Sequence, residues 1–352
     1  MAPKSSMLHR PRHLRVVLSA LCLTGALTAQ SAPTVRGATN AVVEVAFTAQ
    51  QAHARPFLDT QLDVVVTAPD GSARTVPAYW AGGDRWTLRY ASPMPGQHRF
   101  RSQCSDTADA GLHGVAGAIE LAPYTGDNLL LTHGPIQVAA DQRHFAHADG
   151  TPFLWLGDTW WKGLCKRMTW DGFRELTADR RAKGFTVVQI VCGVYPDEAP
   201  FEPRWENEGG KPYLDRAFTT VNPDYFAYAD RRLQHLVEAG IVPAIVGGWG
   251  RGDCDGMAVA GVEGLKRHWR NLIARYGAYP TVWIIGGESG GAEWTEVARY
   301  VRSIDPYRRP ITMHPFDSAR SRVTDETVLD FDMLQTGHGG GAATMGAAAK
   351  VT

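Results

Sequence analysis

The 352-residue chain predicts an α/β fold: a (β/α)8 TIM-type barrel, incomplete with about six strands present, preceded by a small all-β sandwich domain. Two changes of rhythm carry this expectation. From Ala41 to about Pro123, short apolar runs of period two are punctuated by turn residues. After Tyr124, apolar strands alternate with helical stretches, the pattern of parallel β/α units. Hydrophobic residues make up 44% and charged residues 20%, which places the chain among globular rather than disordered sequences.

The first 32 residues read as an export signal. A basic stretch from Lys4 to Arg15 precedes an apolar run, Val16 to Leu27, and small residues follow in Ala29-Gln30-Ser31-Ala32. The run is too short to span a bilayer. The expected location is therefore secreted or periplasmic, with no membrane association after cleavage. Formal net charge is zero, and removing the basic leader leaves a slightly acidic chain, which argues against a nucleic-acid partner. Of the cysteines, Cys22 falls in the leader. Cys104, Cys165, Cys192 and Cys254 are widely spaced, with no Cys-x-x-Cys pair, and are expected to be buried thiols.

Residues 33–125 are assigned to the sandwich. Val43, Val45 and Phe47 alternate with Glu44, Ala46 and Thr48, and Leu62, Val64 and Val66 alternate with Asp63, Val65 and Thr67 before the turn Pro69-Asp70-Gly71. Further strands fall at Tyr79-Trp80, Arg85–Tyr90 and His98–Ser102. No catalytic residue types gather here, so the segment reads as an accessory module.

Residues 126–352 are assigned to the barrel. Strand one is read at Phe153–Gly157, strand two at Thr186–Cys192, strand three at Ile241–Val246, strand four at Thr281–Ile285, strand five at Ile311–His314 and strand six at Asp332–Gln335. Helices are read at Trp170–Lys183, Pro223–Ala239, Val262–Tyr276 and Glu293–Ile304, with Gly184 and Gly240 as C-terminal stops. A closed barrel needs eight strands. The Gly- and Ala-rich tail after Gln335 has the pattern of neither strand nor amphipathic helix, so about two β/α units are expected to be lacking. The alternative is a six-stranded doubly wound sheet.

In such barrels the reactive groups follow the C-terminal ends of strands. Glu288, behind Trp283-Ile284-Ile285-Gly286-Gly287, is the candidate catalytic carboxyl; its alternative role is a carboxylate at a helix N-terminus. Asp158 with Trp160 and Trp161 after strand one, Tyr195 after strand two, Trp249 after strand three, His314 on strand five, and Gln335 and His338 after strand six are candidate substrate-binding residues. Carboxylates, aromatic rings, His and Gln at one rim suit a carbohydrate partner. Asp197, Glu198, Asp253 and Asp255 read as solvated loop carboxylates. No tight metal-ligand spacing, Gly-x-Ser-x-Gly elbow or phosphate loop occurs, so no metal or cofactor is expected. The chain is expected to be a monomer.

Several motifs resemble one family. Asp149 to Trp161, Gly184 to Gln189, Val282 to Glu288 and Asp332 to His338 are together similar to the apiosidase-like glycoside hydrolase barrel, and the segment before them is similar to the β-sandwich that often precedes it. The resemblance implies a (β/α)8 barrel that cleaves glycosidic bonds in plant-type polysaccharides, the branched pentose apiose being one target. It also implies two carboxylates. The first falls on Glu288, as general acid/base. The second belongs to an Asn-Gly-Glu-like motif on a later strand, and none follows His338. Glycoside hydrolysis needs both groups, so the expectation is a glycosidase chain lacking its second carboxylate, or else a sugar-binding protein without turnover or an inactive relic.

Overall fold

The structure, a computed structural model, describes residues 34–199 and 201–335. The expected leader and His338 lie outside these residues.

Eight strands come first: β1 (Thr34–Ala38), β2 (Val43–Thr48), β3 (Leu62–Thr67), β4 (Ala73–Pro77), β5 (Tyr79–Gly82), β6 (Arg85–Tyr90), β7 (Gly96–Cys104) and β8 (Ala116–Ala122). They form one sheet of order β1-β8-β7-β3-β4 and another of order β2-β6-β5. Side-chain alternation fixes the buried faces. On β2, Val43, Val45 and Phe47 are buried opposite Tyr90, Leu88 and Trp86 of β6, while the residues between face out. On β3, Leu62, Val64 and Val66 are buried opposite Cys104, Ser102 and Phe100 of β7. Phe47 and Phe100 meet edge to face at 6.1 Å, so the two sheets share one core. A one-turn helix, α1 (Pro56–Asp59), joins β2 to β3.

A second one-turn helix, α2 (Leu129–Thr132), leads into a small antiparallel sheet of β9 (Ile136–Val138), β10 (Phe145–His147) and β11 (Pro152–Phe153). The parallel sheet then follows in sequence order: β12 (Gly157–Trp160), β13 (Val187–Val191), β14 (Val242–Val246), β15 (Val282–Gly287) and β16 (Ile311–His314). Four helices connect them: α3 (Trp170–Ala182), α4 (Pro223–Glu238), α5 (Gly256–Tyr276) and α6 (Ala292–Ile304). Their starts are written in the sequence. Thr169, Asn222 and Asp255 each accept a backbone N–H from the first turn of α3, α4 and α5. α5 begins earlier than its periodicity predicts, because two helices abut at a kink where Gly261 takes φ +64°. All of β14 is buried, as expected for a central parallel strand covered on both faces.

The fold is thus mixed α/β. Among the described residues the parallel sheet ends at β12 on one side and β16 on the other, and these two strands do not pair. Two expected strands differ. Phe153–Gly157 is split between β11 and β12. Leu154 is 73% exposed, and the Thr186 hydroxyl donates to its carbonyl at 2.6 Å while accepting the Leu156 N–H at 2.9 Å, replacing regular ladder bonds. At Asp332–Gln335 there is no strand, only an isolated antiparallel bridge between Ser318 and Leu334. Here too side chains take the backbone donors. Asp330 accepts the Ile311 N–H at 2.7 Å and Asp332 accepts that of Arg320 at 3.2 Å.

The first two sheets are tied to α4 and α5 by a buried charge network. Asp230 of α4 accepts from Arg89 of β6 and from Arg275 of α5, each at 2.9 Å. Both arginine side chains are at most 6% exposed. Burial alone would push the Asp230 carboxyl up, but the two guanidiniums outweigh it and hold it below the usual carboxylate range.

Candidate functional site

The ends of β13, β14, β15 and β16 converge on Glu288. Just past β15 the chain turns out of the sheet, and Glu288 adopts the left-handed region at φ +46° while its N–H donates to the His314 carbonyl at 2.8 Å. The preceding glycines make this possible. Gly287 pairs with Trp249 in a parallel bridge, and a Cβ on Gly287 would lie 2.2 Å from the Trp249 ring. Only glycine lets the indole lie against the strand end. A cleft of about 330 Å³ opens there, lined by Glu198, Trp249, Arg251, Cys254 and Glu288. Glu288 is 17% exposed and pairs with Arg251, whose Nη1 lies 3.3 Å from its Oε2. The Arg251 guanidinium is 65% exposed and sits over the Phe316 ring at 5.0 Å.

Three of the expected binding residues form one aromatic cluster beside this carboxyl. Trp161 lies 5.1 Å from both Trp249 and His314, and Trp249 lies 5.3 Å from His314. Trp249 is only 4% exposed, so it backs the cleft, while Trp161 is half-buried.

Other expected residues are placed elsewhere. Period two on β12 turns Asp158 and Trp160 toward α3. Trp160 is buried edge-on against Phe173 and donates its Nε1–H to Asp158 at 2.9 Å. Asp158 also accepts from Arg180 of α3. Partial burial pushes its carboxyl up, but the bonds from Trp160, Arg180 and the Thr159 N–H prevail and hold it low. It lines a second cleft of about 560 Å³, with Trp161, Lys162, Arg167, Leu176 and Asp197 among its walls. Tyr195 is fully buried, its hydroxyl bonded to that of Tyr225 and its ring against Trp205, so it presents no face to either cleft. The half-buried Gln335 donates its backbone N–H to Asp317 at 2.8 Å.

Sequence reasoning missed Glu198. It is not a solvated loop residue: its side chain is 8% exposed and faces Lys162 at 3.7 Å and Arg204 at 3.2 Å. Lys162 is 12% exposed and also donates to the Pro196 carbonyl. Burial lowers the Lys162 ammonium's pKa despite the opposing pull of Glu198. The available signal was a cation directly after the Trp160-Trp161 pair, which the long polar loop had to match. The described cysteines Cys104, Cys165, Cys192 and Cys254 are buried free thiols. Among the described residues no group of His, Cys, Asp and Glu is arranged to hold a metal ion.

A partly buried carboxyl in a cleft with polar and indole walls can exchange a proton with a bound oxygen. The buried Glu198–Lys162 pair can orient hydroxyl groups next to it.

Comparison with known proteins bears on the same region. Residues 39–105 match a domain of unknown function, DUF5060. A candidate glycoside hydrolase from Bacteroides vulgatus ATCC 8482 superposes with a TM-score of 0.65 at 20% identity, over 80% of this chain and 56% of its own. A glycoside hydrolase family 5 structure from the same organism superposes with a TM-score of 0.51 at 25% identity, over 61% and 46%. The chain therefore spans about half the length of the solved structures it matches. No protein of curated function matches it. Residues 139–351 match the model of the apiosidase-like catalytic domain, more than half of the 352 residues, and the chain belongs to the apiosidase-like glycoside hydrolase family.

Proposed function

We propose that this protein is an exported glycosidase acting on plant-type polysaccharides or oligosaccharides, with Glu288 as general acid/base. Its parallel sheet is the main part of a (β/α)8 barrel, and the first two sheets are a β-sandwich module ahead of it. The observation that carries the reading is the placement of Glu288 at the end of β15, in a cleft lined by Trp249, whose ring lies against Trp161 and His314. In this role Glu288 gives its proton to the glycosidic oxygen as the C–O bond breaks, and a water oxygen then bonds to the anomeric carbon while the water's proton restores the carboxyl. The family pattern assigns the second carboxylate to a later strand than β16.

Glu288→Gln in the complete gene product is expected to lower kcat on a plant cell-wall polysaccharide at least about 100-fold with an unchanged melting temperature. Near-normal turnover would sink the assignment. One contact favours a second reading, a carbohydrate-binding protein without turnover. Arg251 occupies the carboxylate that a general acid must present to its substrate. Calorimetric binding of cell-wall oligosaccharides that persists while no reducing ends are released would favour it.

A further inference from the structure

A pocket at the other end of the parallel sheet is built around two arginines. It has a volume of about 180 Å³ and lies at the N-terminal ends of β15 and β16, away from Glu288. Arg74 of β4 and Arg309, just before β16, are among its walls, with Tyr307, Asn40, Ser92 and Pro280. Both guanidiniums lie against the Tyr307 ring, 5.5 and 5.1 Å from its centroid. None of the lining residues is an Asp or a Glu. Arg309 is 5% exposed. Its Nε donates to the Gly277 carbonyl at 2.9 Å and its Nη2 to the Ala278 carbonyl at 3.3 Å, while Nη1 donates to no acceptor among the described residues. The Asp305 carboxylate accepts instead from the Trp283 indole N–H and from the backbone N–H groups of Tyr307 and Arg309. Arg74 is half-buried, and its guanidinium has neither a hydrogen bond nor an ion pair among the described residues.

A buried cation without a counter-charge is costly. The carbonyls at the C-terminal end of α5 offset part of that cost. Even so, burial lowers the Arg309 pKa to about 10 against the pull of Asp305, and the charge of Arg74 adds to the lowering. Around Asp230 the chain sets its own carboxylate between two arginines that lie against Tyr79. Around Tyr307 it sets two arginines and no carboxylate. We propose that this pocket binds one small oxyanion, a carboxylate, sulfate or phosphate group, held by the guanidiniums of Arg74 and Arg309. Arg74 and the Nη1 of Arg309 supply the free donors, in the planar form that oxyanions accept. The volume is below that of pockets enclosing a drug-sized ligand and ample for a single such group. The bound group ties β4 to the loop before β16, as Asp230 ties β6 to α5. Neither arginine lines the Glu288 cleft, so binding here is independent of turnover.

Binding is measured by calorimetry on the complete gene product near neutral pH. Sodium sulfate, sodium phosphate and sodium acetate are the probes, with ionic strength held constant by sodium chloride. The expected result is one site per chain, with a dissociation constant of about 1 mM or tighter for at least one probe. Arg74→Ala should weaken it at least about tenfold, and Arg143→Ala, which removes an exposed arginine elsewhere, should leave it unchanged. Tighter binding of sulfate or phosphate identifies a free inorganic anion as the ligand; tighter binding of acetate identifies the carboxylate of an organic one. Circular dichroism establishes that the variants fold. On the wild type, the tightest probe should also slow modification of Arg74 by phenylglyoxal, read by mass spectrometry, without slowing that of Arg143. If no probe binds, or if a folded Arg74→Ala binds as tightly as the wild type, the two arginines only clamp Tyr307 and there is no anion site. Equal rates of Arg74 modification with and without the probe would overturn the site even if the variant did not fold.

Discussion

Asp230 and Glu288 are both carboxylates paired with arginine, and they differ in burial. Between the first two sheets and helices α4 and α5, Asp230 is held by Arg89 and Arg275, and each guanidinium nitrogen of the two donates to a protein acceptor: Arg89 also reaches Glu44 and the Arg275 carbonyl, and Arg275 also reaches Asn271 and the Trp80 carbonyl and lies 4.0 Å from the Tyr79 ring centroid. At the cleft, Glu288 has a single arginine, and that arginine is mostly in water. A dry, multiply bonded charge can be removed only at great cost, so it serves as a structural tie. A wet, singly bonded one exchanges its partner cheaply, as a group that must meet a ligand has to. The first two sheets, though they read as an accessory module in sequence, are joined to the α/β region through the costly kind of contact.

The largest effect is expected where that difference is broken from the buried side. Asp230→Ala leaves the buried Arg275 guanidinium without a counter-charge and Arg89 with only the exposed Glu44. It should lower stability to urea by about 3–5 kcal/mol. Replacing Arg89, Asp230 and Arg275 together by apolar residues of similar volume should cost less than the single change. Equal losses would show that packing, rather than charge, joins the two regions.

A second buried polar group gives a pH signature. His268 of α5 is fully buried, with its Nδ1 accepting from the Tyr213 hydroxyl at 2.7 Å and its Nε2 donating to the Cys192 carbonyl at 3.0 Å. Burial lowers its pKa to about 4, from an ordinary 6.5. The sign follows from proton uptake. Below pH 6.5 the unfolded chain takes up a proton that the folded chain refuses, so this contribution is complete above that pH and is lost as pH falls toward 4. The shift corresponds to about 3 kcal/mol. His268→Gln should flatten the curve of stability against pH in that window; an unchanged slope would mean that other groups govern it.

An intermediate effect belongs to the strand end itself. Gly287→Ala puts a methyl into the Trp249 ring and is expected to cost about 1–3 kcal/mol. Because Trp249 backs the cleft, oligosaccharide affinity should fall as well. A stability loss without any change in binding would mean that Trp249 supports the core alone.

These regions were unequally legible in the sequence. Val43, Val45 and Phe47 announce β2 because large apolar and polar residues alternate there. Thr34–Ala38 and Ala116–Ala122 form β1 and β8 without announcing themselves, since small residues such as Gly37, Ala116 and Gly117 carry little contrast of period two. Glu288, Trp161, Trp249 and His314 could be found by position, because the ends of parallel strands converge. Tyr195 follows a strand in the same way, yet Tyr225 and Trp205 bury it, and no local pattern encodes a partner thirty residues away. Glu198 was misread for the same reason: its partner Lys162 lies on the loop after another strand.

The smallest expected stability effect sharpens the comparison most. Arg251→Ala removes a guanidinium that is 65% exposed, so folding stability should change by less than about 1 kcal/mol. Yet it pairs with the candidate acid, and it also covers the exposed Phe316 ring. If the Arg251 contact holds the Glu288 carboxyl in position for the reaction, its removal should lower kcat, while the melting temperature stays within a few degrees. If instead Arg251 binds the substrate directly, KM should rise with kcat kept. A large drop in melting temperature would contradict both, and would place this pair with the buried ties of Asp230 rather than with the exchangeable contacts of the cleft.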